Sequence, residues 1–377
     1  MKLALLAARM PPAHDGVGDH ADMLARALAD AGHEVTALTA GEAVPPAVYR
    51  LEIAGASWGA AATARAIATL RAQRPAALVV EYTPFLYGAR SQTPLAILLA
   101  ARALRIRTVA IVHEAFHRDA AATGSRWKAD VLAARDAVTL GCADTLAVPS
   151  AARADALAAR RPALAERIAI VPIGANVEPP HGYRRAAQRP ATLIAFGVVM
   201  PRRRLEYAVN ALAHLTRAGA DVRLEIIGRV HDRAYASAIA ALAERSGIAH
   251  RVRWRGELAP AAISATLRTA TAAIHTAREG SIASSGSLLA LLAHGVPTVA
   301  LRTRNDDAIF SGAIHLADDA ATLAAALHAL VREPHSADGL TRASIACYAA
   351  SFAWARVADR LLDALQIGCT DARLATA

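Results

Sequence analysis

Short apolar runs alternate with amphipathic Ala/Leu/Arg segments along the whole chain, and this alternation occurs twice with a single break. Such a pattern builds parallel sheets covered by helices on both faces, so it restricts the fold to the α/β class. Leu3 to Ala8, Glu34 to Thr39, Ala77 to Glu81, Thr108 to His113, Thr145 to Pro149 and Ile168 to Val171 are predicted strands of a first sheet. Asp19 to Ala31, Ala60 to Ala72 and Thr93 to Ala103 are predicted helices between them, and Gly32 supplies a helix stop. A second set of strands is expected at Thr192 to Phe196, Arg223 to Ile227, Val252 to Trp254, Ala272 to His275 and Thr298 to Leu301. The segment from Glu178 to Pro190 holds three prolines and a glycine without apolar periodicity, and separates the two sets as a linker. The expected organisation is a first domain over residues 1–177, a linker over 178–190, a second domain over 191–345 and a terminal helical segment over 346–377. Two doubly wound, Rossmann-like domains of this kind are expected to bind ligands in a central cleft, at the carboxyl ends of their strands.

At 377 residues the chain exceeds what one core usually organises, and with 55% hydrophobic residues it can bury ample apolar surface. A disordered chain and a disulfide miniprotein are both excluded. Cys142, Cys347 and Cys369 are scattered without ligand spacing, which fits a reducing compartment and no zinc site. The net charge is +10, yet Lys2 and Lys128 are the only lysines, so the positive charge is part of an arginine- and alanine-biased composition. With no nucleic-acid-binding motif alongside it, this charge predicts no nucleic-acid partner and leaves acidic ligands or an anionic membrane face. The opening apolar run stops at Pro11-Pro12, too short for a signal-peptide core, and no run approaches ~20 apolar residues. A cytoplasmic protein, soluble or peripheral at the inner membrane face, is expected.

Four segments carry chemistry. After the first strand, Gly16-Val17-Gly18-Asp19-His20 leads into a helix, where glycines let backbone approach a ligand and free amides suit phosphate or hydroxyl oxygens. An ordinary glycine turn fits equally well. Arg202-Arg203-Arg204 follows a strand and Pro201, and guanidinium forks bind diphosphate oxygens bidentately, although a solvated face accounts for two of the three. From Gly280 to Ser287 a glycine–serine loop hands over to a helix apolar on every side, stopped by Gly295. Its N-terminal amides at Gly286, Ser287 and Leu288 form a phosphate cradle, with Ser281 in the loop and Ser284 or Ser285 as cap. His113 ends a strand beside Glu114, which orients its neighbour or caps the next helix. The pairs His14/His20 and His113/His117 sit among carboxylates, yet the latter needs helical continuation to form one face, so no metal is expected.

In order along the chain, these segments resemble family 4 glycosyltransferases with the GT-B fold. Besides the Gly16–His20 segment, the resemblance rests on Gly32-His33-Glu34-Val35, Val112-His113-Glu114, Ala143-Asp144 through Val148-Pro149-Ser150, Phe196-Gly197 through Leu205, Ile226-Ile227-Gly228, Val252 to Gly256 and Gly295-Val296-Pro297. Ser351 to Ala358 resembles the final helix, which in that fold crosses back onto the first domain.

The resemblance implies a retaining transfer of sugar from a UDP- or GDP-linked donor to an acceptor hydroxyl on a glycan, a lipid-linked acceptor or a small molecule. It implies no cofactor beyond the nucleotide sugar, and no metal. Arg203 falls where the family has its diphosphate lysine, whereas Val198 stands where the family has an arginine. His113 would hydrogen-bond a sugar hydroxyl and Glu279 would hold the donor sugar, with Gly16, Gly18, Arg202, Ser281, Gly286, Ser287 and Leu288 around the donor and Asp19, His20 and Glu114 on the acceptor side. The family's second glutamate, eight positions after the first, is Ser287 here, or Ala290 counted back from Gly295. Either an inserted loop reshapes the donor pocket or another residue holds the ribose. A sugar-nucleotide epimerase of the same fold, an inactive sugar-nucleotide-binding homologue and a bilobed solute-binding protein are the competing functions.

Overall fold

The structure is a computed structural model that describes residues 1–13, 15–88, 91–115, 125–186, 190–277, 282–303, 308–333 and 337–366. Its contacts divide the chain into two compact units, Met1–Ile173 joined by the chain from Trp354 onward, and Gly174–Ala353. Residues 174–177 and 346–353, placed by sequence in the first domain and the terminal segment, thus belong to the second unit.

The first unit is built on β1 (Lys2–Leu6), β2 (Glu34–Thr39), β3 (Arg50–Ile53), β4 (Ala77–Tyr82), β5 (Arg107–Val112), β6 (Thr145–Val148) and β7 (Ile168–Ile170). These pair in parallel in the order β3-β2-β1-β4-β5-β6-β7. Its helices are α1 (Gly16–Asp30), α2 (Ala60–Gln73), α3 (Thr93–Ala103), α4 (Arg126–Gly141) and α5 (Ala151–Arg160). The second unit orders its strands β10-β9-β8-β11-β12-β13, also all parallel. They are β8 (Ala191–Phe196), β9 (Val222–Ile227), β10 (Val252–Gly256), β11 (Ala272–His275), β12 (Thr298–Leu301) and β13 (His315–Ala317). Its helices are α6 (Glu206–Arg217), α7 (Arg233–Arg245), α8 (Pro260–Thr269), α9 (Gly286–Ala293), α10 (Ala320–Arg332) and α11 (Ala337–Ser351), and α12 (Trp354–Gln366) returns to the first unit.

Covered sheets explain the composition of the central strands. Every residue of β4, β6, β11 and β12 is buried, so these strands are mainly apolar and show no alternation. Sequence periodicity missed β3 and β13 for the converse reason. Both are edge strands, and their partly exposed residues leave no continuous apolar run.

Helix α1 starts three residues before the predicted Asp19. The Asp15 side chain caps it by accepting the Val17 and Gly18 amides at 3.0 and 2.7 Å, so Gly16 and Gly18 lie inside the first turn and not in a loop before it. Gly18 is closely packed: a Cβ there would stand 3.0 Å from the carbonyl oxygen of Arg9.

Helix α12 has a strongly one-sided apolar pattern. Trp354, Val357, Ala358, Leu361, Ala364 and Leu365 are buried with Leu24 and Leu28 of α1 and Val109 and Ala147 of the sheet. Described parts of the linker are tied to the second unit: Arg185 donates to the carbonyl of Gly295 and the hydroxyl of Thr341, and Tyr348 donates to Glu178.

Candidate functional site

Each sheet reverses its winding between two central strands, β1 and β4 in the first and β8 and β11 in the second. Doubly wound folds bind ligands at the carboxyl ends of such strands. A cluster of polar side chains lies at each of these two places.

In the second unit, β8 runs into Gly197, whose φ of +135° and crowded surroundings exclude a side chain. A Cβ there would lie 2.9 Å from the Arg203 guanidinium and 3.2 Å from the Ser287 hydroxyl. A Cβ on Gly228, at the end of β9, would overlap the Gly197 carbonyl, so the two loops touch through bare backbone. Arg203 donates from Nη1 to Ser287 Oγ at 3.2 Å. Burial, and then the neighbouring charge of Arg202, hold its guanidinium down at about 10. Thr276, just past β11, fastens the arginine turn by donating its hydroxyl to the carbonyls of Arg203 and Arg204.

The three arginines separate by role. Arg202 is exposed and reaches Met200 Sδ, Arg204 lies 4.2 Å over the Tyr207 ring, and Arg203 alone turns toward the glycine loop and α9.

Helix α9 is buried on all sides, as its sequence predicts. Between the two candidate caps the structure selects Ser285, whose hydroxyl accepts the Leu288 amide. The Leu288 amide is therefore engaged, while the amides of Gly286 and Ser287 precede it in the first turn, where no intrahelical carbonyl is available. Gly286 is bare because Asn176 crosses it: a Cβ would stand 2.6 Å from Asn176 Oδ1. His275, at the end of β11, is buried, and burial followed by Arg203 pushes it down to about 3, so it is neutral. Its Nε2 finds no partner among the described residues. Glu279 and Ser281 lie outside the described residues.

The first-unit cluster is centred on a residue the motifs did not identify. Glu81 near the end of β4 is fully buried, and its carboxylate bridges two histidines. His20 Nδ1 of α1 donates to Oε1 at 3.1 Å, and His113 Nε2, one residue past β5, donates to Oε2. Burial pushes the Glu81 carboxyl up, but the charges and hydrogen bonds of His20 and His113 outweigh it and hold Glu81 at about 2. The imidazoles meet edge to face at 4.9 Å, and Trp354 of α12 packs on His20 at 5.1 Å. Gly16 and Gly18 share α1 with His20, and Asp19 and Glu114 adjoin the histidines in sequence.

Sequence pairing had set His20 beside His14 and His113 beside His117. The fold instead joins His20 to His113, while His14 and His117 lie outside the described residues. The ligand-type atoms of His20, Glu81 and His113 fall within 4.8 Å of one another, but both carboxylate oxygens already accept imidazole protons, which a cation would have to displace. One sequence signal was available for Glu81 and His275: each is the polar residue at the carboxyl end of an otherwise apolar strand.

Two family models match consecutive parts of the chain: "Glycosyl transferase 4-like domain" over residues 15–174 and "Glycosyl transferases group 1" over residues 190–333. The chain belongs to the GT4-like glycosyltransferases. No curated protein sequence matches it significantly. Among solved structures it resembles Anabaena HepE in complex with UDP and glucose, at 15% identity and a TM-score of 0.67, covering 97% of this chain and 99% of that one. WaaG, a glycosyltransferase involved in lipopolysaccharide biosynthesis, matches at 14% identity and a TM-score of 0.64, covering 96% and 99%. Sucrose-phosphate synthase from Thermosynechococcus elongatus matches at 18% identity and a TM-score of 0.67, covering 99% of both chains. The fold is GT-B, and this glycosyltransferase carries its two polar clusters at the switch points of the two GT-B sheets.

Proposed function

We propose that this glycosyltransferase moves a sugar from a nucleoside-diphosphate donor to an acceptor hydroxyl with retention of configuration and without a divalent metal. The observation that carries this reading is the cradle of Gly197, Arg203, Ser287 and the start of α9, where a half-buried guanidinium and helix amides converge. A departing diphosphate develops negative charge, and fixed donors of this kind stabilise it. Arg203 and the amides of Gly286 and Ser287 hold the diphosphate, Glu279 holds the donor sugar, and His113 accepts a hydrogen bond from a sugar hydroxyl. The complexes of Anabaena HepE with UDP and with UDP-glucose support UDP as the first nucleotide to test.

The acceptor is a glycan, a lipid-linked sugar or a small molecule, met in the cytoplasm. No helix among the described residues is long and apolar enough to cross a membrane. The exposed Trp127, Val131 and Val138 of α4, with Lys128 beside them, support peripheral contact with an anionic membrane face.

Incubating the protein with a panel of UDP- and GDP-sugars and candidate acceptors tests the proposal. Release of nucleotide with an axially or equatorially retained glycoside, assigned by NMR of the product, is the expected result. Isomerised donor would instead mark an epimerase, and binding without turnover an inactive homologue.

A further inference from the structure

Glu81 is a carboxylate with no solvent exposure, and both of its oxygens are spent on imidazoles. An ionised carboxylate only accepts hydrogen bonds, so the nitrogens facing it, His20 Nδ1 and His113 Nε2, must both carry protons. That requirement fixes the chemistry of the other edge of His113. Whenever Nε2 carries the ring's single proton, Nδ1 is left as an acceptor, and the His113 side chain keeps 15% exposure. His20 is held on the opposite oxygen by α1 and by the edge contact with Trp354, so three elements of the first unit steady the carboxylate. Tyr87 adds a further restraint by donating its hydroxyl to the Glu81 carbonyl at 3.1 Å.

We propose that Glu81 is a positioning residue: bridging His20 and His113, it fixes the His113 tautomer so that Nδ1 accepts a hydrogen bond from a sugar hydroxyl. This inference rests on the sugar-transfer reading for its consequence in catalysis, and on the bridge alone for its geometry. It gives His113 an orienting partner 32 positions upstream, beside the sequence candidate Glu114.

The decisive variant is Glu81→Gln, which keeps the shape but offers one acceptor and one donor, so it cannot accept from both imidazoles. In the wild-type protein, ¹⁵N-resolved proton NMR should find two low-field imidazole N–H protons, one assigned to His20 Nδ1 and one to His113 Nε2. Glu81→Gln should keep at most one. Its kcat for sugar transfer should fall about tenfold or more, by analogy with the loss seen when the carboxylate behind a metal-ligating histidine is removed, while its UDP affinity and urea midpoint stay close to wild type. A wild type with a single such proton would overturn the bridge. Unchanged kcat in a Glu81→Gln variant that has lost a bridge proton would reduce Glu81 to a structural residue and overturn its positioning role. A wild type that turns over no donor refutes the transfer reading instead, and the proton count then decides the bridge separately.

Discussion

Replacing Arg203 with methionine should make the empty protein more stable and the nucleotide-bound protein less so. Burial holds the guanidinium at about 10, and at ~1.4 kcal/mol for each tenfold change in a protonation equilibrium this is roughly 3 kcal/mol of charging cost in the folded state. Methionine removes that cost and keeps most of the apolar stem. It forfeits the hydrogen bond to Ser287, a net loss of about 1 kcal/mol. The ligand-free variant should therefore gain ~1–2 kcal/mol in urea unfolding. Loss of a charged hydrogen bond to the diphosphate costs about 1.5–3 kcal/mol, which weakens UDP binding more than ~10-fold. At UDP concentrations about 100-fold above the wild-type Kd, ligand binding adds ~2.7 kcal/mol to wild type, against ~1.4 kcal/mol for a site tenfold weaker. UDP should close the stability gap that the substitution opens. Urea unfolding with and without UDP, alongside calorimetric titration of UDP, reads both effects. A variant that is less stable than wild type and binds UDP equally well would refute the reasoning, because it would make Arg203 a structural residue.

Gly197→Ala should lower UDP affinity, since its Cβ would enter the space of the Arg203 guanidinium in a backbone region that costs about 1–3 kcal/mol for a side chain; equal affinity by calorimetry would place the diphosphate elsewhere. Leu361→Ala, at a fully buried position of α12, should cost about 2–5 kcal/mol, and a loss under ~0.5 kcal/mol in urea unfolding would mean that the helix does not dock on the first unit in solution. His275 titrates near 3 when folded and at its ordinary 6.5 when unfolded; below 6.5 the unfolded chain takes up a proton that the folded protein refuses. Its contribution is thus present above 6.5 and lost toward 3, by up to ~1.4 kcal/mol per pH unit, so a His275→Leu variant should show a shallower acid decline in its unfolding midpoint. Treatment with EDTA should leave sugar transfer intact; loss of activity restored by magnesium or manganese would contradict a metal-independent mechanism.

Alternation of apolar runs made the two-unit α/β fold legible, because parallel strands buried on both faces leave continuous apolar stretches such as Ala77 to Val80 and Val299 to Leu301. The same criterion could not see β3 or β13, whose partly exposed residues carry no such run. Arg203 and α9 were legible as local chemistry, a cation after a strand and a serine loop before an apolar helix. The Glu81 bridge was not, since it joins positions 20, 81 and 113, and only the order β1-β4-β5 brings them together. Asn176 escaped notice for a similar reason: its contact with Gly286 spans 110 positions, and no pattern at either end announces it.

The two clusters differ most in how their charge is balanced, and this difference assigns the anion to one of them. A buried charge is tolerated when it is paired or hydrogen-bonded, and otherwise raises the energy of the fold. In the first unit the buried carboxylate of Glu81 is satisfied within the protein by two imidazole protons, and it needs nothing from a ligand. In the second unit Arg203 makes no ion pair among the described residues; its hydrogen bond goes to a neutral hydroxyl, and the buried histidine beside it stays unprotonated. Adding a diphosphate to the first cluster would set anion against anion. At the second it would supply the counter-charge that no described residue provides, and the same burial that now depresses Arg203 would strengthen its attraction to the phosphate oxygens. Charge balance therefore supports the proposed placement of the nucleotide at the Arg203 cradle, with the His20–Glu81–His113 bridge left to neutral hydroxyls.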